Sequence, residues 1–228
     1  MQLKTTLALV AALAAQVAMC WSIPKGTAPG VYSVEVFDNG TEHHVFLSHL
    51  PNVTTTPRSG PRHISARFLP SRDTAGAPKD CKSRDDEPCP RHTECYLREG
   101  PAFISPDETD SANAGIDAQC GDGATVGHGK DLYSVDTCSV AYVCNMGGSR
   151  DWDGTCTAAE RRKTSEMITK KCGAYIPGSS TQTRWMPPAL DSKVEGTSRT
   201  YQMMYGYEAY CTSFGHDFCG RGADGHNG

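Results

Sequence analysis

After its first nineteen residues the 228-residue chain has no apolar run approaching the length of a membrane span. Nor is there a surplus of positive charge: 22 Lys and Arg face 26 Asp and Glu, a formal net charge of −4. That balance offers no electrostatic footprint for nucleic acid or an anionic membrane. No Gly-x-Ser-x-Gly elbow and no His-Glu-x-x-His helix occurs, so the commoner serine-hydrolase and zinc-protease signatures are excluded. Gly123 to Asp131 has the glycines and the lysine of a phosphate loop, but Ala124 stands where that loop needs glycine and Asp131 where it needs a hydroxyl. It reads instead as a turn leading into a strand. The polar, glycine-rich stretch Arg221–Gly228 carries no lipid-anchor signal, so no membrane anchor is expected.

What the chain does have is cysteine. Eleven are present, and the ten after Cys20 form an even, dense set downstream of a secretory leader, the pattern of a disulfide framework made outside the cell. The leader is MQLKTTLALVAALAAQVAMCWS, with Lys4 as its positive end and Leu7 to Met19 as its apolar stretch. Cleavage after Cys20 or after Ser22 satisfies the small-residue rule, whereas cleavage after Ala18 leaves an odd thiol. The expectation is a signal peptide over 1–22, with Ile23 as the new N-terminus and a net charge of −5 once Lys4 is lost. The product is expected to be secreted, extracellular and monomeric.

Residues 31–47 alternate with the strand period around Asp38-Asn39-Gly40, and Asn-Gly between such runs is a strong hairpin signal. An N-terminal hairpin is therefore expected over 23–50. Asn39-Gly40-Thr41 and Asn52-Val53-Thr54 are also glycosylation sequons, placing Asn39 and Asn52 on the surface. Residues 51–80 hold five prolines, five basic and two acidic residues and little apolar periodicity, which reads as a flexible linker. A cysteine-rich domain over 81–220 and a short tail over 221–228 complete the organisation.

Within that domain, Ser105-Pro106-Asp107-Glu108 combines an N-cap serine, a proline at the first helical position and a glutamate three residues after the cap. Ala112, Ile116 and Cys120 would share the buried stripe of the helix, and Gly121 would close it. The same grammar recurs in Thr157-Ala158-Ala159-Glu160, with Thr164, Ile168 and Cys172 at the same spacing, Lys170 and Lys171 at the dipole's negative end, and Gly173 as terminator. Leu132 to Cys144 reads as one strand and Tyr201 to Cys211 as another. The expected fold is α+β: a small, mostly antiparallel sheet with two helices on one face, stapled by disulfides and preceded by the hairpin.

Cys81, Cys89, Cys95, Cys120, Cys138, Cys144, Cys156, Cys172, Cys211 and Cys219 permit on the order of a thousand pairings, so connectivity cannot be read. Parity alone requires at least one bridge from the three cysteines at 81–95 to the remainder. Cys138 and Cys144, six apart on a single proposed strand, cannot reach each other. Cys89-Pro90-Arg91-His92-Thr93-Glu94-Cys95 has metal-ligand residue types, but disulfide use is expected, with no metal and no cofactor. His128, Asp151, Glu208, His216 and Asp217 lie in or beside loops, and no catalytic set is assigned. Possible contact residues are Arg150 and Trp152 in the 145–155 loop and Arg184, Trp185 and Met186 in the 176–199 segment, because loop tryptophan and arginine favour recognition.

IPKGTAPGVYSVEVFDNGTEHHVFL, DETDSANAGIDAQCGDG, SVDTCSVAYVCN and YGYEAYC followed by DFCG together resemble fungal small secreted cysteine-rich proteins, a group catalogued as candidate effectors. SVAYVCN, ITKKCG and the late aromatic strand also resemble the killer-toxin family of smut fungi, with its α/β sandwich. These resemblances imply an effector-like or toxin-like role; a rigid cystine scaffold carrying loops is expected to act by binding a host or competitor target, an extracellular protein or cell-surface component, without catalysis. A small secreted hydrolase, such as a ribonuclease or polysaccharide-active enzyme, and a cell-wall structural protein are the alternatives.

Overall fold

A computed structural model describes residues 21–37, 39–52, 89–96, 104–146, 153–185, 200–211 and 218–219. These form nine strands and two helices in the order β1 (Gly30–Val36), β2 (Glu42–Ser48), β3 (Cys89–Cys95), α1 (Pro106–Cys120), β4 (Ala124–Val126), β5 (Lys130–Asp136), β6 (Ser139–Asn145), β7 (Gly154–Cys156), α2 (Ala158–Cys172), β8 (Gly178–Trp185) and β9 (Thr200–Ala209). Seven strands make one sheet in the order β2-β1-β5-β6-β9-β8-β3, with every described pairing antiparallel. β4 and β7 form a separate two-stranded ribbon. The fold is thus α+β as the sequence implies, but dominated by strands.

Both helices begin and end where their caps dictate. The Ser105 hydroxyl accepts from the Glu108 N–H, the Thr157 hydroxyl accepts from the Glu160 N–H, and Gly121 and Gly173 take positive φ at the C-termini. Ala112, Ile116 and Cys120 are buried, as are Thr164 and Ile168. Each N3 glutamate, however, turns away from its capping box. The Glu108 carboxylate accepts the Cys138 N–H at 3.0 Å, fastening α1 to the β5–β6 turn, and the Glu160 carboxylate points into the core.

α1 packs over β5 and β6, and α2 over β3 and β8. Beneath them lies one apolar cluster of Ile116, Ile168, Leu132, Val143, Met203, Tyr205 and Tyr207. The tyrosines of β9 at 201, 205 and 207 therefore form part of the core wall. On the opposite face a second cluster joins Trp21, Val34, Tyr133, Val140, Tyr142, Met204 and Phe218.

Three expectations need correction. The stretch 132–144 is a hairpin, with β5 and β6 meeting at Thr137-Cys138; alternation holds within β6, but Cys138 sits in the turn. The 23–50 hairpin does not merely precede the sheet, because β1 pairs along its whole length with β5. The start of the 176–199 segment is strand β8 rather than loop, and it lies between β9 and β3. The 81–88, 186–199 and 220–228 stretches and most of 51–80 fall outside the described residues.

Four disulfides brace the described domain: Cys95–Cys172, Cys120–Cys156, Cys138–Cys211 and Cys144–Cys219. The first ties edge strand β3 to the end of α2 and supplies the bridge that parity requires. The second ties the end of α1 to β7. The last two run from the β5–β6 turn and from β6 to the chain beyond β9, so Cys138 and Cys144 do use different partners. Cys81 lies outside the described residues.

Candidate functional site

The two edges of the main sheet are built differently. β3 contains Pro90, which has no N–H to offer, and its register shifts between Pro90 and His92, two of the devices that discourage further strand pairing. β2 reads EHHVFLS, with neither proline nor lysine, and among the described strands it pairs only with β1. Phe37, Val45, Phe46 and Leu47 are 45, 40, 46 and 39 % exposed. Because β2 side chains alternate between faces, Val45 stands on the helix side and Phe46 on the other, while Leu47 sits where the β1–β2 register shifts, between the Tyr32–Phe46 and Val31–Ser48 pairs. Phe46 is steadied edge-on against Tyr32 and His49, at centroid distances of 5.4 and 5.0 Å. An open ladder edge with apolar side chains on both faces can add an extended segment from a partner.

The sequons flank this strand. Asn39 lies in the β1–β2 turn, where its side-chain oxygen accepts the Thr41 N–H at 2.9 Å and Gly40 takes a φ of 77°. Asn52 follows β2 by four residues. Both are exposed.

Next to β2, Glu42, His44 and Tyr133 form a line of carboxylate, imidazole and hydroxyl. His44 Nε2 is 3.0 Å from Glu42 Oε2, and Nδ1 is 2.9 Å from the Tyr133 hydroxyl. The neutral tautomer with its proton on Nε2 satisfies both contacts. The order resembles that of a nucleophilic triad, but Tyr133 is completely buried. Burial first, then the neighbouring Tyr32, Tyr210 and Glu42, raise its pKa well above the usual tyrosine value. Its hydroxyl stays protonated and out of a substrate's reach, so this arrangement fastens β2 to β5 through side chains.

A second polar cluster lies beneath the start of α2. The side chain of Glu160 is 2 % exposed. Its carboxylate accepts from Arg184 through Nε at 2.9 Å and through Nη2, and from the Tyr205 hydroxyl at 2.6 Å. Burial alone would lower the Arg184 pKa; the hydrogen bonds and charge of Glu160 reverse this and move it upward. Burial, then Glu160, hold Tyr205 in its neutral form. On the opposite face the Tyr142 hydroxyl donates toward Tyr96 at 3.4 Å, and Tyr96 donates to Ser179 at 2.6 Å, beside buried Glu208. Tyr142 is pushed up by burial, then by Tyr96 and Glu208.

Arg184 is therefore consumed by Glu160 and is not an exposed contact residue. Arg150, Trp152 and Met186, together with the Trp185 side chain, lie outside the described residues, as do Asp151, His216 and Asp217. The sulfur of Cys95 is bonded to Cys172, which removes a thiolate from any site with His92; that ring sits 2.6 Å from Glu94 instead. Asp131, Cys144 and Cys219 converge with metal-like spacing, but the two cysteines are bonded to each other. An open depression on α2 is lined by Arg161, Arg162, Ser165 and Lys170. Both arginines are held by Asp117, Arg161 at 2.6 Å and Arg162 at 2.8 Å.

Two features escaped the sequence reading. One is the β2 edge, visible only once strand order is known. The other is Trp21, assigned to the leader but buried in the second core. No family model, no curated protein and no solved structure matches the chain, and no helix among the described residues is long and apolar enough to cross a membrane.

Proposed function

We propose that the chain is a secreted, disulfide-braced protein of the effector-like or toxin-like kind, which binds a protein target outside the producing cell through the β2 edge. The observation that carries this reading is the asymmetry of the sheet: β3 is blunted, while β2 pairs on one side only among the described strands and bears three large exposed apolar side chains, with exposed Phe37 just before its turn. The target's contribution is an extended apolar segment that pairs with the β2 backbone and covers Val45, Phe46 and Leu47. The buried ionisable clusters are spent on internal contacts, which favours binding over catalysis. Four disulfides support the extracellular part of the reading.

The test is to apply purified protein to plant leaf tissue and to competing microbes, beside a reduced and alkylated sample. A response that is lost on reduction supports a fold-dependent effector or toxin. Equal silence from both samples, together with turnover of RNA or cell-wall glycan by the intact protein, would replace this reading with the hydrolase one.

A further inference from the structure

We infer that the leader is cut between Cys20 and Trp21, so that Trp21 is the first residue of the secreted protein and an integral part of its core; this rests on the secretion reading above. Trp21 is 1 % exposed. Its ring stacks on Phe218 and tilts against Tyr133, both at 5.1 Å between centroids. Its indole N–H donates to Asp131 Oδ2 at 2.8 Å, and its carbonyl accepts the Phe218 N–H at 3.2 Å. Ser22 is engaged as well, its N–H donating to Glu42 Oε1 at 3.2 Å.

Each competing cut conflicts with one of these facts or with the thiol count. Cleavage after Ser22 would discard a fully packed indole and the donor it gives to a buried carboxylate. Cleavage after Ala18 would keep Trp21 but also Cys20. Eight of the ten later cysteines are already joined in four bridges, and Cys81 and Cys89 make an even remainder, so Cys20 would be the odd thiol in an oxidising compartment. Cleavage after Cys20 puts Ala18 and Cys20 at the −3 and −1 positions, both small. It releases the surplus cysteine and keeps the tryptophan.

The experiment is expression of the whole Met1–Gly228 chain in a eukaryotic secretion host, with N-terminal sequencing and intact mass of the protein from the medium. Trp21 as first residue, with no titratable thiol, is the expected result. Medium protein starting at Ile23 or Met19 overturns the inference while leaving secretion standing; protein retained in the cell with Met1 intact overturns both. Trp21→Ala should melt roughly 10 °C below the wild type, as expected for loss of a buried tryptophan from a domain of this size. Wild-type melting of that variant would remove the packing argument and the inference with it.

Discussion

The guanidinium of Arg184, on β8, closes on the carboxylate of Glu160, in the first turn of α2, and so joins the helix to the sheet through a buried ion pair. The pair makes Arg184 a structural residue. Arg184→Ala should cost about 3–5 kcal/mol in urea or guanidinium unfolding, because it leaves the Glu160 charge buried without its main partner. Arg184→Lys should recover only part of that loss, since one ammonium cannot reproduce the paired contacts of a guanidinium.

Tyr142, Tyr205 and Tyr133 give the fold an alkaline limit. Each is raised above the usual tyrosine value near 10, burial being the first cause. Below that value the hydroxyls are protonated in folded and unfolded chains alike, and their contribution is constant. Above it the unfolded chain ionises first, so stability falls as pH rises toward the folded values. Denaturant midpoints should be level from neutrality to about pH 9 and decline beyond 10. In a difference-absorbance titration, the phenolate signal of these three should appear only with unfolding.

Removing the Cys95–Cys172 bridge as a double alanine variant should cost about 4.5 kcal/mol in the loop-entropy account, for a sequence separation of 77 residues. Hydrogen exchange should then rise first in β3, which keeps only β8 as a strand neighbour.

Val45→Lys combined with Phe46→Lys should abolish the biological response while leaving thermal unfolding within a few degrees of wild type. The side chains are exposed, and edge lysines oppose further strand pairing. Undiminished activity from a folded double variant would place the contact surface elsewhere.

Gly206 lies against the ring of Tyr142, and an added Cβ there would collide with that ring. Gly206→Ala should therefore lower stability by about 1–3 kcal/mol through overpacking, a loss measurable by thermal melting.

Local chemistry made much of this fold readable. Ser105, Thr157, Gly121 and Gly173 mark both helices almost to the residue, and Asn39-Gly40 marks the first hairpin. The β5–β6 hairpin was hidden because its turn passes through Thr137 at a φ of 48°, with no glycine to announce it. β8 was hidden because its helix-facing positions are Gly178, Ser180, Gln182 and Arg184; a strand whose buried side is polar shows no hydrophobic alternation. The candidate edge follows from strand order, which is set by long-range pairing rather than local sequence. Trp21 fell to the leader because the cleavage rule reads only small residues and admits a cut after Ser22 as readily as one after Cys20.

The absence of cysteine between Trp21 and Asp80 sets the β1–β2 hairpin apart from everything the disulfides hold. Beyond the backbone after Asn52, it is attached by non-covalent contacts alone, among them the β1–β5 ladder, the Trp21–Phe218 stack, the Trp21–Asp131 hydrogen bond, the His44–Tyr133 contact and the hydrogen bonds of Pro24 and Thr27 with the Tyr210 hydroxyl. One cut anywhere between Asn52 and Cys81 would make a two-chain protein that denaturant alone separates, with every bridge intact in the larger piece. The smaller piece would carry the hairpin together with Trp21, and the larger would be left with the flank of β5 that β1 covers and the core pocket that the indole fills.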